Sequence, residues 1–219
     1  MTAAFEKEPH NTVGRIPDRG SYDCETVYEI LDAGFLCHVG FAVDGQPFVI
    51  PTLYGRSEDQ LYLHGAPASR MLKTLADGVP VCLTVTHVDG LVLARSAFHH
   101  SINYRSVVVF GTATEVSGDE KEHGLFVISE QVLNGRWDES RTPTEKELQA
   151  TSVLKLSIDS ASAKVRTGGP KDEEDDYPLP IWAGVVPIHQ TFGPVETDPK
   201  LTADIPVPTS VKTLLRHND

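Results

Sequence analysis

The sequence predicts a mainly β fold with peripheral helices, its antiparallel strands curled into a closed or partly closed barrel. Three observations carry that expectation. Apolar runs of strand length recur from Phe35 to Arg166, with turn residues between them. Two Asp-Gly pairs, Asp44-Gly45 and Asp89-Gly90, each stand between such runs, which is the strongest short-range hairpin signal. Helical periodicity is confined to short stretches between the hairpins, and strands joined by such short links pair antiparallel.

Taken in order, residues 1–20 hold Pro9, Gly14, Pro17 and Gly20 and no sustained period, so they read as an extended arm. A short helix follows, capped by Asp23, with Val27, Ile30 and Leu31 on one face and Gly34 as a left-handed stop. Strands are expected over 35–42 and 47–54 around the first Asp-Gly turn, then a loop over 55–59 and a strand over 60–64. A helix over 69–76, capped by Ser69 and closed near Gly78, leads to strands over 79–88 and 91–98 that flank the second Asp-Gly turn. A strand over 106–116 carries three consecutive valines, and a helix over 119–133 comes next. Thr142-Pro143-Thr144-Glu145 reads as a capping box with Pro at the first helical position, and strands over 153–158 and 163–166 close the pattern. The implied organisation is an arm at 1–20, one domain at 21–168 and a Pro- and acid-rich tail at 169–219 packed on it.

Composition bounds the function. A chain of 219 residues can bury one good core. A net charge of -12 argues against binding a nucleic-acid backbone as the main role, because that needs clustered cations. No apolar run approaches the roughly 18 residues that cross a bilayer, so no membrane role is expected. The first residues lack the basic-then-apolar layout of a secretory signal, and a cytoplasmic location is expected. Cys24, Cys37 and Cys82 form no CxxC and read as reduced, buried thiols. The acidic run at 171–176 reads as a solvated loop. Serine-hydrolase elbows, P-loops and GxGxxG fingerprints are absent from the sequence, which leaves those chemistries without a foothold.

Three stretches carry chemistry. Residues 99–106 place His99, His100, Ser101, Tyr104, Arg105 and Ser106 between strand-like runs, a candidate ligand-facing wall. Adjacent histidines on a strand point to opposite faces, so at most one of His99 and His100 faces a given cavity. Their spacing from His38, His64 and His87 matches no zinc pattern, and no metal site is expected, although a single haem ligand stays open. Ser69-Arg70 opens a helix directly after the strand ending in His64. Hydroxyl, guanidinium and free N–H groups there suit a phosphate monoester, or the pair is an ordinary cap followed by a surface arginine. Val49, Ile50, Pro51, Thr52 and Leu53 form a strand with an internal proline, hence an edge. Its unpaired backbone could bind a flat heterocycle, or the proline simply protects the edge from aggregation.

The runs FLCHVGFAVDGQPFVIPTLYGR, LYLHGAPASRMLKTL, VPVCLTVTHVDGLVLARSAFHHSINYRSVVVFG and VLKLSIDSASAKVR occur in that order. Together they resemble the flavin-nucleotide-binding branch of the pyridoxamine 5'-phosphate oxidase-like proteins, which includes the nitroimidazole-resistance proteins. The likeness spans residues 13–188. It implies an antiparallel split β-barrel, the FMN-binding split barrel, forming a homodimer with FMN in grooves between the subunits. On that likeness Val49, Ile50, Pro51, Thr52 and Leu53 lie along the isoalloxazine edge, His64, Ser69 and Arg70 sit near the phosphate, and Ser101, Tyr104 and Ser106 close the other side. Met71 stands where relatives often carry lysine, so phosphate charge falls on Arg70 with Lys73 as helper. His64 matches a histidine that is functionally important in nitroimidazole-resistance relatives. Trp182 either caps the flavin pocket or staples the tail to the barrel.

The activity implied is an FMN-dependent oxidoreductase that passes electrons from a reduced nicotinamide donor to a small organic acceptor such as a nitro compound, with His64, His99 or His100 as proton source. The C-terminal block with which true pyridoxamine phosphate oxidases bind pyridoxal phosphate is not found. Deazaflavin in place of FMN, a non-catalytic flavin carrier or sensor, and a haem-binding barrel with a histidine ligand are the alternatives.

Overall fold

Asp23 accepts the Thr26 N–H at 2.9 Å and so starts the first helix in a computed structural model that describes residues 3–201 and 204–216. The remaining residues of the expected arm and tail lie outside the described residues. A two-residue strand, β1 (Gly20–Ser21), precedes that helix, α1 (Cys24–Asp32), which buries Val27, Ile30 and Leu31. The helix closes on Ala33 in right-handed conformation, so Gly34 is not the expected left-handed stop. Its missing side chain instead makes room for His87, whose Cε1 would lie 2.7 Å from a Cβ at this position.

β2 (Leu36–Val43) and β3 (Gln46–Ser57) form the expected hairpin. Asp44 and Gly45 have φ of 50° and 80°, the paired positive values of a type I′ turn. β4 (Gln60–Gly65), α2 (Arg70–Ala76) and β5 (Pro80–Leu93) follow. The second Asp-Gly pair makes no turn. β5 runs through it with a bulge between Val88 and Gly90 and pairs with β6 (Ser101–Val116), the chain reversing instead at 94–100. Two tertiary interactions explain this. Asp89 is held by two hydrogen bonds from Arg105, at 3.0 and 2.9 Å. Gly90 is buried where a later strand crosses close by.

Beyond β6 come α3 (Gly118–Val132), α4 (Glu145–Gln149), β7 (Ser152–Ser157), β8 (Ser160–Arg166), β9 (Gly184–Pro187) and α5 (Thr209–Arg216). The capping box sits at Thr144 and Glu147, two residues later than expected, and Pro143 precedes the cap. β9 is the strand that Gly90 admits: a Cβ there would lie 3.1 Å from both Val185 Cγ1 and the Val186 carbonyl.

The strands join in one antiparallel nine-stranded sheet of order β1-β8-β6-β7-β4-β3-β2-β5-β9, with β5 also paired to β6. The expected mainly β split barrel is therefore corrected. The sheet keeps two edges, β1 and β9, and does not close into a true barrel, and helices complete its core in a mixed α/β fold. Long strands change partner along their length. β3 pairs β2 as far as Leu53 and β4 from Tyr54, while β6 passes from β5 and β8 to β7 at Ala113.

Alternation along the strands sends Val39, Leu83, Val85, Val107, Val109, Leu61, Leu63 and Leu156 inward, where they meet Leu31 of α1 and Leu72 and Leu75 of α2. α3 covers the opposite face of β4 and β7, burying Tyr62, Val116, Val127, Ile128 and Val153. Two glycines set how closely it lies. A Cβ at Gly55 would meet the α3 backbone at 2.7 Å, and one at Gly124 would meet Tyr62 Cδ1 at 2.7 Å.

Residues before α1 and after β8 also contact this frame. Asn11 is buried and donates to Ser160 Oγ at 2.9 Å. Asp172, expected in a solvated loop, accepts the N–H groups of Arg95 and Ser96 at 2.9 and 3.1 Å and pairs with the Arg95 guanidinium at 3.2 Å. Among the described residues no helix is long and apolar enough to cross a membrane.

Candidate functional site

The sequence-derived site residues fall into two sets on this sheet. The first gathers around the outer half of β3. Because β4 pairs β3 only from Tyr54 onward, residues 46–53 have β2 on one side and a free edge on the other. Val49, Ile50 and Pro51 are exposed there, and Thr52 and Leu53 half-buried. Arg70, at the start of α2, lies over the Phe48 ring at 5.0 Å and has no acidic partner among the described residues. Ser69 is the N-cap, yet its hydroxyl makes no capping bond. Lys73 is exposed one turn further on, and Met71 is buried in the main core, so its position takes no part in this surface.

The second set belongs to the β5–β6 hairpin and β9. His100 Nδ1 accepts the Ala94 N–H at 3.1 Å, and His99 lies 3.6 Å from Glu173. Ser106 donates to the Lys164 carbonyl at 3.2 Å. Tyr104 is half-buried, opposite Val88 and the buried Arg166, and Ser101 is exposed opposite Val92. The Trp182 ring packs over Gly184, at the start of β9. No hydrogen bond or ion pair among the described residues joins the two sets.

His64 leads to a feature that spacing did not reveal. It stands near the end of β4, paired with Val153 of β7 and two residues from Tyr62 on the face that α3 covers, and with Leu53 it lines a cleft of about 530 Å³. Ile128, Val132 and Leu133 from α3 and its end supply apolar wall, with Trp137, Arg136 and Arg141 beside them. The volume lies within the about 300–1,000 Å³ typical of small-molecule and cofactor sites. His64 Nδ1 is buried with no hydrogen-bond partner, and burial pushes the imidazole pKa below its ordinary value. Arg141 is committed to Glu147 at 2.7 Å, whereas Arg136 keeps only a 3.9 Å contact to Glu139. A second apolar stripe on α3, Leu125, Ile128 and Val132, followed by Arg136-Trp137, was the sequence signal for this wall.

Residues 23–165 match the pyridoxamine 5'-phosphate oxidase family. Among solved structures, the flavocytochrome Anf3 from Azotobacter vinelandii is 42% identical, the match covering 94% of this chain and 97% of that one with a TM-score of 0.88. The FAD and haem binding protein from Mycobacterium smegmatis is 38% identical over 90% of this chain and 97% of its own, with a TM-score of 0.86. A protein described as a 5-nitroimidazole antibiotic resistance protein, from Bacteroides thetaiotaomicron, shares the fold at 24% identity and a TM-score of 0.57, over 67% of this chain and 86% of its own. No curated protein gives a significant match. The family match spans well over half of the chain and the two nearly end-to-end likenesses agree with it, so this chain belongs to the pyridoxamine 5'-phosphate oxidase-like family of flavin-nucleotide-binding proteins.

Proposed function

We propose that this protein binds a flavin nucleotide together with haem and serves in electron transfer. The observation that carries the reading is its likeness, over 94% and 90% of the chain, to a flavocytochrome and to an FAD and haem binding protein. When bound, a flavin supplies two-electron chemistry and haem one-electron chemistry. The chain's own residues suit both groups. The free edge of β3 from Val49 to Leu53 offers backbone donors and acceptors to a flat heterocycle, and Arg70, which has no carboxylate partner among the described residues, offers charge to a phosphate. FAD is the nucleotide favoured over the FMN expected from sequence, because it is the one bound by the Mycobacterium smegmatis protein.

The separation of the two residue sets supports a homodimer in which Ser101, Tyr104 and Trp182 of one subunit face β3 of the other. Phe98, 89% exposed, and the exposed Leu91, Ile102 and Val186 surround that second set, an apolar surface that a second copy would cover.

The test is equilibrium dialysis of the full chain against FAD and FMN. Arg70→Ala is expected to weaken nucleotide binding about 10- to 100-fold, the worth of a hydrogen bond to a charged group. Unchanged affinity in that variant would remove Arg70 from the site.

A further inference from the structure

Resting on the haem reading, the geometry points to His64 as the residue that ligates haem iron, with haem seated in the cleft between β4, α3 and the Arg136-Trp137 turn. The other histidines on this part of the fold are already engaged or exposed. His10 meets Ser160 at 2.9 Å, His87 meets the Ile30 carbonyl at 3.0 Å, His100 holds the Ala94 N–H and His99 lies by Glu173. His38 is exposed on β2, and His123 packs against the Tyr62 and Phe126 rings. Among the described residues His64 is the histidine that has a buried nitrogen without a partner.

An iron ligand must present a neutral imidazole, and the apolar surroundings of His64 favour that form. Leu53, Ile128 and Val132 give the apolar walls that a porphyrin needs. Arg136, with its side chain 42% exposed and, among the described residues, just the long contact to Glu139, stands where a propionate would find a cationic partner. Such a placement takes His64 away from the flavin phosphate and leaves that role to Arg70.

Trp137 lines the same wall and makes the placement readable. The chain has two tryptophans, so Trp182→Phe leaves Trp137 as sole reporter. Haemin titrated into that variant is expected to give a sharp Soret band and to quench Trp137 fluorescence. Adding His64→Ala is expected to weaken binding at least tenfold and to abolish the ligated band shape, which added imidazole restores. Arg136→Ala is expected to weaken binding several-fold with the band position unchanged. A His64→Ala protein with unchanged band and affinity overturns the assignment while leaving haem binding standing. Unquenched Trp137 in a haemin-binding chain overturns the placement even if His64→Ala does not fold. Wild-type protein that takes up no haemin overturns the assignment and the haem reading together.

Discussion

Gly55 is the position where one methyl group should do the most damage, because the obstacle it meets is helix backbone. An alanine Cβ there would lie 2.7 Å from the Ile128 Cα and N and from the Val127 carbonyl carbon. The shortfall from the 3.4 Å at which ordinary contact begins is about 0.7 Å, and no side-chain rotation relieves it. α3 must therefore back away from β3, loosening Val127 and Ile128 from Tyr62 and Val153. Overpacking of this kind costs about 2–3 kcal/mol. For a chain of this size that corresponds to a melting temperature lowered by about 5–10 °C. Differential scanning calorimetry on Gly55→Ala reads it directly. Gly14→Ala, whose Cβ would meet nothing within 4 Å, is the matched control. Because Ile128 and Val132 also wall the His64 cleft, the same variant should bind haemin more weakly. A Gly55→Ala protein that melts with the control would refute the close seating of α3.

Three further outcomes are expected. Gly90→Ala pushes against Val185 and the Val186 carbonyl at 3.1 Å, so β9 should loosen and limited proteolysis over 169–188 should accelerate; an unchanged cleavage rate would contradict the pairing. Tyr54→Phe removes the hydroxyl that donates to the Leu31 carbonyl in the core, at a cost of about 1 kcal/mol measured by urea unfolding, the low end because Gln131 also reaches that carbonyl; no change in midpoint would count against the bond. For Asp172, burial works against the charge, but the Ser96 and Arg95 N–H groups and the Arg95 guanidinium outweigh it and hold the carboxyl below its ordinary value. That clasp contributes fully above the unfolded pKa of about 4 and is lost as pH falls through the lower folded value. Melting curves of wild type and Asp172→Asn should thus differ near neutrality and converge in acid, whereas a constant gap would contradict the clasp.

Much of the fold was legible because local signals agreed with the tertiary outcome. Asp44-Gly45 supplied two positive φ values between apolar strands, and Asp23 supplied a cap before an amphipathic stretch. Asp89-Gly90 carried the same dipeptide and meant something else. There the aspartate is an ion-pair partner and the glycine a gap for β9, neither of which neighbouring residues record. The acidic run is largely exposed as expected and departs at Asp172, whose partners lie 76 and 77 residues earlier in the chain. Closure of the sheet was also beyond periodicity, which tells which face a residue takes but not where β3 and β6 exchange partners. On the site, the proline in β3 did mark an edge, and Met71 proved to be a core residue. The His64 cleft went unread because its walls come from β3, β4, α3 and the turn after it, brought together by Gly55 and Gly124.

Joint binding of flavin and haem is tested most directly by the absorbance spectrum of the full chain after incubation with FAD and haemin and removal of unbound cofactor. The flavin band pair and a Soret band are expected in the same protein, the flavin feature lost in Arg70→Ala and the Soret feature altered in His64→Ala. A desalted protein that retains neither chromophore would contradict it.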